Sequence, residues 1–222
     1  IIWFHTVYWP AFLLSAGIEL PKKVFAHGWW TFDKEKISKS QGKVINIDEL
    51  VKIAGVDSAR YFLFRSIPFG EDGDFSEETL KERHNNELAN KLGNLVSRVT
   101  YLAEKYGIEK SENNLIKRLN LNKIEKHIKK YELDKALNEI FSFVNFCNEY
   151  VQKNEIWETK NKSQLYELLD SIKAIAILLW PFIPETSEKI AKNLNFKINL
   201  KNISEPLSIK TVKKSEILFE KL

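Results

Sequence analysis

Apolar positions recur through the last two-thirds of the chain with the spacing of helical faces. Leu88, Leu92, Leu95, Val96, Val99 and Leu102 follow the ~3.6-residue helical period and fall on one stripe. Leu133, Leu137, Ile140, Phe141, Val144 and Val151 form a second stripe. Leu165, Leu168, Leu169, Ile172, Ile175, Ala176 and Leu179 form a third, which stops at Trp180-Pro181 because proline cannot continue the helical ladder. Residues 184–194 add a short helix. The run opens at Ser76, with Thr79 one turn on and Glu77 and Glu78 placed at the positive end of the helix dipole. The pattern predicts an all-helical region whose antiparallel helices turn their apolar stripes inward. After Leu200 a strand and an extended tail both fit.

Residues 1–75 are patterned differently. Residues 1–16 read as a helix ending at Gly17, a usual residue after a C-cap. Residues 24–27 form a short apolar run between Pro21 and Gly28 and read as a buried strand. A loop rich in Lys, Ser and Gly follows. Asp48 is placed to cap a helix reaching Ala54, and Asp57 to cap another reaching Arg65. Helix, strand, loop and helix is the alternation of a parallel α/β sheet. Residues 68–73 form a turn-rich connector, and the change of pattern puts a boundary near Phe75.

Composition narrows the class. With 44% hydrophobic and 12% aromatic residues among 222, the chain can fill a sizeable core and is not a disordered sequence. The net charge of +4 falls entirely within residues 76–222 and is too modest to require or exclude nucleic acid, whose phosphates are met by local clusters. Lys123, Lys126, Lys129 and Lys130 with His127 make such a run, read here as a solvated helix face. The single cysteine, Cys147, rules out an internal disulfide; it lies in an apolar stretch and reads as a reduced core thiol, which points to a cytoplasmic home. No apolar run approaches the ~20 residues of a membrane span, and residues 1–14 lack the basic flank of a signal peptide. No Cys/His cluster has zinc-site spacing. The chain contains no methionine, so Ile1 is not an unprocessed start and a segment of a longer chain is expected.

The segment richest in chemistry is Lys36-Ile37-Ser38-Lys39-Ser40, followed by Gly42. Two ammonium groups three residues apart, with hydroxyls between and after them, can converge on a phosphate chain. They would stabilise charge that develops as a nucleotidyl group transfers. By itself the segment also fits a plain solvated loop. His27 and Gly28 stand at the end of the predicted strand, nine residues before Lys36, and ligands of open α/β sheets bind beyond the carboxyl ends of strands. On the helices, Asn94 and Arg98 are spaced i, i+4 and lie roughly 100° from the core stripe. They project outward together and offer an amide and a planar fork to the edge of an unstacked base. A solvated helix flank is the plainer reading.

The run Phe4-His5-Thr6-Val7-Tyr8-Trp9-Pro10-Ala11, then Ala26-His27-Gly28-Trp29, then the Lys36–Ser40 loop with Gly42, resembles the methionyl-tRNA synthetase family in order and spacing. Pro68-Phe69-Gly70-Glu71-Asp72-Gly73-Asp74-Phe75-Ser76 is similar too, and Gly93-Asn94-Leu95-Val96-Ser97-Arg98 carries the likeness into the helices. The loop alone marks only a class I aminoacyl-tRNA synthetase; the combination is specific for the methionine enzymes. The likeness is diffuse after about residue 105 and returns near Trp157, Pro181 and Leu218-Phe219. Ile37 stands where the family usually has methionine, and an apolar residue of similar size keeps that anchor.

The resemblance implies an α/β portion over residues 1–75, the second half of a Rossmann-type catalytic fold with a stem-contact region. An all-α anticodon-binding bundle over 76–199 and a C-terminal tail over 200–222 would follow, in a predominantly helical molecule. It implies ATP-dependent activation of methionine to methionyl-adenylate and transfer to tRNA(Met), with ATP and Mg2+ as substrate. Lys36 and Lys39 would be catalytic; His27, Gly28, Lys36, Ser38, Lys39 and Ser40 would bind ATP. His5 and Trp9, one helical turn apart, would wall the methionine pocket, where an imidazole among apolar rings suits a thioether. Asn94, Arg98 and Trp157 would read the anticodon. The first catalytic half, with its His-Ile-Gly-His-type loop and an inserted domain able to carry zinc, would lie upstream, in cis or in trans, and residues 1–222 alone would be inactive. Three other readings stay open: another class I synthetase, a noncatalytic tRNA-binding module, and a helical protein-interaction domain. His5 with Trp9 and residues 70–76 argue against the first.

Overall fold

The computed structural model describes residues 1–32, 35, 36 and 47–222, with backbone only at 32, 35 and 36. The first helix opens with a π-wound turn, Phe4–Tyr8, and continues as α1 (Trp9–Ser15). It ends where expected: Gly17 takes φ +69°, the left-handed conformation that a side chain resists.

The strand predicted at 24–27 is not one. Residues 24–27 are exposed and irregular, and the strand is β1 (Trp30–Phe32). Pairing explains the displacement. β1 lies between β2 (Glu35–Lys36), antiparallel, and β3 (Gly73–Phe75), parallel, with Trp30 opposite Gly73 and Phe32 opposite Phe75. The junction with β3 starts at Trp29, whose carbonyl accepts from Gly73 N at 2.8 Å and whose N–H donates to the Asp72 carboxylate at 2.6 Å. Gly28 lies against the backbone of Glu71, where a Cβ would collide. Upstream of this point residues 24–27 have no strand partner among the described residues.

Between β1 and β3 the chain crosses over through α2 (Ile47–Ala54) and α3 (Val56–Ser66), as a parallel pair requires. Neither predicted cap acts as expected. Asp48 falls inside the first turn of α2, and the N-cap of α3 is Gly55 at φ +78°. Asp57 is buried, and its carboxylate accepts from Glu185 N at 3.3 Å and Thr186 N at 2.6 Å. It therefore caps a distant helix, α10 (Pro184–Asn193), whose first N–H groups have no partner of their own. Ser76 does cap α4 (Glu77–Arg83), accepting from Thr79 N at 3.1 Å. The helix then runs through a π-wound stretch, His84–Gly93, into α5 (Asn94–Tyr106).

The remaining helices are α6 (Leu121–Lys129), α7 (Leu133–Lys153), α8 (Ile156–Thr159) and α9 (Lys162–Leu179), before α10. The three predicted stripes meet in one core, and α9 is its centre: every residue from Leu165 to Leu179 is buried. Three of those residues, Glu167, Asp170 and Lys173, are acidic or basic, so their charges must be matched internally. Glu167 accepts from Asn114 N and the Tyr150 hydroxyl at 3.1 and 3.2 Å. Lys173 is 2.7 Å from Asp170, which also accepts from Asn113 Nδ2 at 2.9 Å and Leu207 N at 2.8 Å, while Lys173 donates to the Glu205 carbonyl.

Those last partners belong to the C-terminal segment, which after a 3-10 turn (Leu200–Ile203) is extended rather than a strand. It runs back along the bundle, burying Leu207 and Val212. Ser215 N donates to Thr100 Oγ1 at 3.0 Å, and the Glu220 carbonyl is 2.7 Å from His84 Nε2. A smaller core of Leu50, Ala59, Phe62, Phe75 and Leu80 fills the sheet side. The two cores share α3: Tyr61 packs on Phe141 in the bundle while Phe62 packs on Phe75. Among the described residues no helix is long and apolar enough to cross a membrane.

Candidate functional site

His5 lies on the first π-wound turn, and Trp9 follows one turn later with the rings edge to face, centroids 6.3 Å apart. The Ile1 carbonyl, 3.1 Å away, accepts from His5 Nδ1. In a neutral imidazole that leaves Nε2 as the acceptor. His27 is fixed similarly, its Nδ1 donating to the Gly28 carbonyl at 2.8 Å. The two histidines come from segments without regular contact in sequence, yet both line one cleft of about 720 Å³ between the first helix and residues 24–29. Gly28 lines it as well. Trp9 lines an adjoining apolar hollow of about 450 Å³ with Phe4, Tyr8 and Phe12, and His5 borders both spaces. The structure thus brings His5, His27 and Gly28 together, with Trp9 beside them. Of the lysine–serine loop, the Lys36 backbone sits in β2 opposite Thr31. The Lys36 side chain and all of Ser38, Lys39 and Ser40 lie outside the described residues.

A second candidate surface lies on α5. Asn94 is exposed and Arg98 half-buried, so the pair projects outward as its spacing predicted. Both line a hollow of about 340 Å³ with Ser97, Tyr101 and Lys214. Arg98 also borders a polar hollow of about 680 Å³ against α7, lined by Asn145, Asn148 and Gln152 among others. Trp157 is half-buried in α8, packs on the bundle core, and is not among the residues lining either hollow. Left-handed backbone at Glu155 and Lys160 brackets α8 and turns the chain sharply on both sides of it. The sequence reading missed Tyr101 and Lys214. Tyr101 could have been found, because it lies three residues beyond Arg98 on the same face; Lys214 gives no local signal, since the tail brings it there.

Other groups have structural roles. In the basic run, Lys123 pairs with Glu139 at 2.7 Å and Lys129 with Glu125 at 2.5 Å. Burial pushes the Cys147 thiol up to about 12, which makes it inert. Among the described residues no group of three or more His, Cys, Asp or Glu converges on a metal site.

Comparison with known proteins gives this geometry a family. A family model described as tRNA synthetases class I (M) matches residues 1–100, and a model for the anticodon-binding domain of tRNA ligases matches residues 112–220. The methionine–tRNA ligase of Caldanaerobacter subterraneus subsp. tengcongensis is 40% identical over 247 aligned residues, covering 100% of this chain and 39% of that protein. That of Campylobacter jejuni subsp. jejuni is 38% identical, covering 92% and 35%. The crystal structure of Mycobacterium tuberculosis methionyl-tRNA synthetase bound by methionyl-adenylate superposes with a TM-score of 0.92 at 31% identity, covering 99% of this chain and 48% of that one. The chain spans about two-fifths of the length of the curated relatives it matches. The likeness runs from the cleft-lining first helix to the returning tail in both sequence and structure, and the chain belongs to the methionyl-tRNA synthetases, a family of class I aminoacyl-tRNA synthetases.

Proposed function

We propose that this chain is part of a methionine–tRNA ligase, contributing to both the activation site and the recognition of tRNA. Residues 1–75 are read as half of a Rossmann-type catalytic fold, 76–199 as an anticodon-binding bundle, and 200–222 as a tail bound to it. The observation that carries the reading is the convergence of His5 with His27 and Gly28 on one cleft, beside the apolar hollow that Trp9 lines. An apolar aromatic hollow with an imidazole at its border suits a thioether side chain.

In the reaction, a carboxylate oxygen of methionine attacks the α-phosphorus of ATP. A mixed anhydride forms and pyrophosphate leaves, carrying its charge. The terminal adenosine hydroxyl of the tRNA then attacks the activated carbonyl and AMP departs. Lys36 and Lys39 are assigned to neutralising the phosphate charge in the first step, with hydroxyl support from Ser38 and Ser40. His27 and Gly28 are assigned to ATP, and Mg2+ arrives with the triphosphate as substrate. Asn94 and Arg98 are assigned to the first anticodon base and Trp157 to stacking on the anticodon.

The natural protein carrying this chain is expected to catalyse methionine-dependent ATP–pyrophosphate exchange. Lys36→Ala and Lys39→Ala should each slow the exchange by about 10²–10³-fold, with little change in the KM for methionine. Exchange driven by a different amino acid, or indifferent to both lysines, would overturn the assignment.

A further inference from the structure

We propose that Tyr101, flanked by Lys105 and Lys214, is a stacking platform for an unpaired RNA base, next along the strand from the base assigned to Asn94 and Arg98. This deepens the tRNA-recognition reading and rests on it. Asn94, Arg98, Tyr101 and Lys105 fall at i, i+4, i+7 and i+11 of the α5 region and share one face. At ~1.5 Å rise per residue, Tyr101 lies about 4.5 Å along the axis from Arg98, a step comparable with the ~3.4 Å between neighbouring nucleotides. Tyr101 remains 44% exposed although it sits in a well-packed helix, and its ring borders the same hollow as Asn94 and Arg98.

The cations around it lie over a ring rather than on carboxylates. Lys105 and Lys214 hold their ammonium groups 5.9 and 5.7 Å from the Tyr101 ring centroid. A second ring, Tyr106, has Lys105 at 5.3 Å and Lys160 at 5.6 Å. On α6, Lys123 and Lys129 are paired with carboxylates of their own bundle. Among the described residues neither Lys105 nor Lys214 has a carboxylate within ion-pair distance. Rings interleaved with unneutralised lysines are what a single strand needs: a face for the base and charges for the phosphates on either side. The flexible lysine stems can swing off the ring towards those phosphates as a base comes in. A duplex would offer the phosphates but no free base face, so the ligand class is a single-stranded loop.

The test measures binding of this 222-residue chain to a methionine-tRNA anticodon stem-loop and to the same stem-loop with abasic loop nucleotides, over a salt series. Tyr101→Ala is expected to weaken binding of the intact loop by about 5- to 150-fold and to reduce the preference for intact over abasic loop. Tyr101→Phe, which keeps the ring, should bind as wild type does. Lys214→Ala should lower the slope of log affinity against log salt by about 0.7. Thermal unfolding of each variant guards against a purely structural effect, and little change is expected for so exposed a ring. Wild-type binding that is lost in Arg98→Ala but unaltered in Tyr101→Ala would overturn this inference while leaving the anticodon reading in place. If the wild-type chain does not bind the stem-loop at all, both fall.

Discussion

Glu132, at the turn between α6 and α7, accepts from Lys135 Nζ at 2.8 Å and His127 Nδ1 at 2.7 Å. Lys135 first, and His127 after it, hold the carboxyl down at about 2, well below the usual carboxylate range. A depressed carboxylate contributes stability above its unfolded pKa of ~4.3 and loses it as the folded-state group protonates. The difference in Tm between wild type and Glu132→Gln should therefore be level just above pH ~4.3 and close as pH falls towards about 2. A gap that stays level through that window would show that the contact does not act through charge. Single residues were most legible when their partners were local. His5 with Trp9 and Asn94 with Arg98 are one turn apart, so periodicity alone put each pair on a common face. His127 was visible only as part of a basic run, because its acid comes from beyond the end of the helix.

Elements show the same limit on a longer scale. The sequence places Asp57 as a cap, and it is one, but for α10 rather than for its own helix. An aspartate near a helix start carries no mark of which helix it serves; that depends on the packing that brings residue 185 to residue 57. Charge-assisted hydrogen bonds to a buried carboxylate contribute about 1.5–3 kcal/mol. Asp57→Ala should cost roughly that much in urea unfolding, and Asp57→Asn less, because the amide oxygen still accepts. Equal losses in the two variants would mean that side-chain volume, not capping, holds α10. The strand displaced from 24–27 to Trp30–Phe32 has a related cause. Both are short apolar runs, and only the Asp72–Gly73 contacts, more than forty residues away, choose between them. The long helices needed no such arbitration, since three stripes at helical spacing admit one period and one inward face.

At the scale of the whole molecule, α9 decides how the chain closes on itself. A helix buried on every side cannot send Asp170 and Lys173 to solvent, so the loop at Asn113 and the tail at Glu205 and Leu207 come to them. The tail is thereby bound through the partners α9 requires, and by carrying Lys214 to Tyr101 it also completes the surface proposed to meet RNA. None of this was readable from the stripe, in which Asp170 and Lys173 look like ordinary polar positions. The sign of the coupling can be tested. Lys173→Met leaves a buried carboxylate without its counter-charge and should cost about 3–5 kcal/mol in urea unfolding. Adding Asp170→Asn removes the stranded charge while its amide oxygen still accepts from Leu207 N–H, so the double variant should recover a large part of that loss. A double variant as unstable as the single one would mean that the tail is held by the Lys173 ammonium donating to Glu205, and that the ion pair is incidental to it.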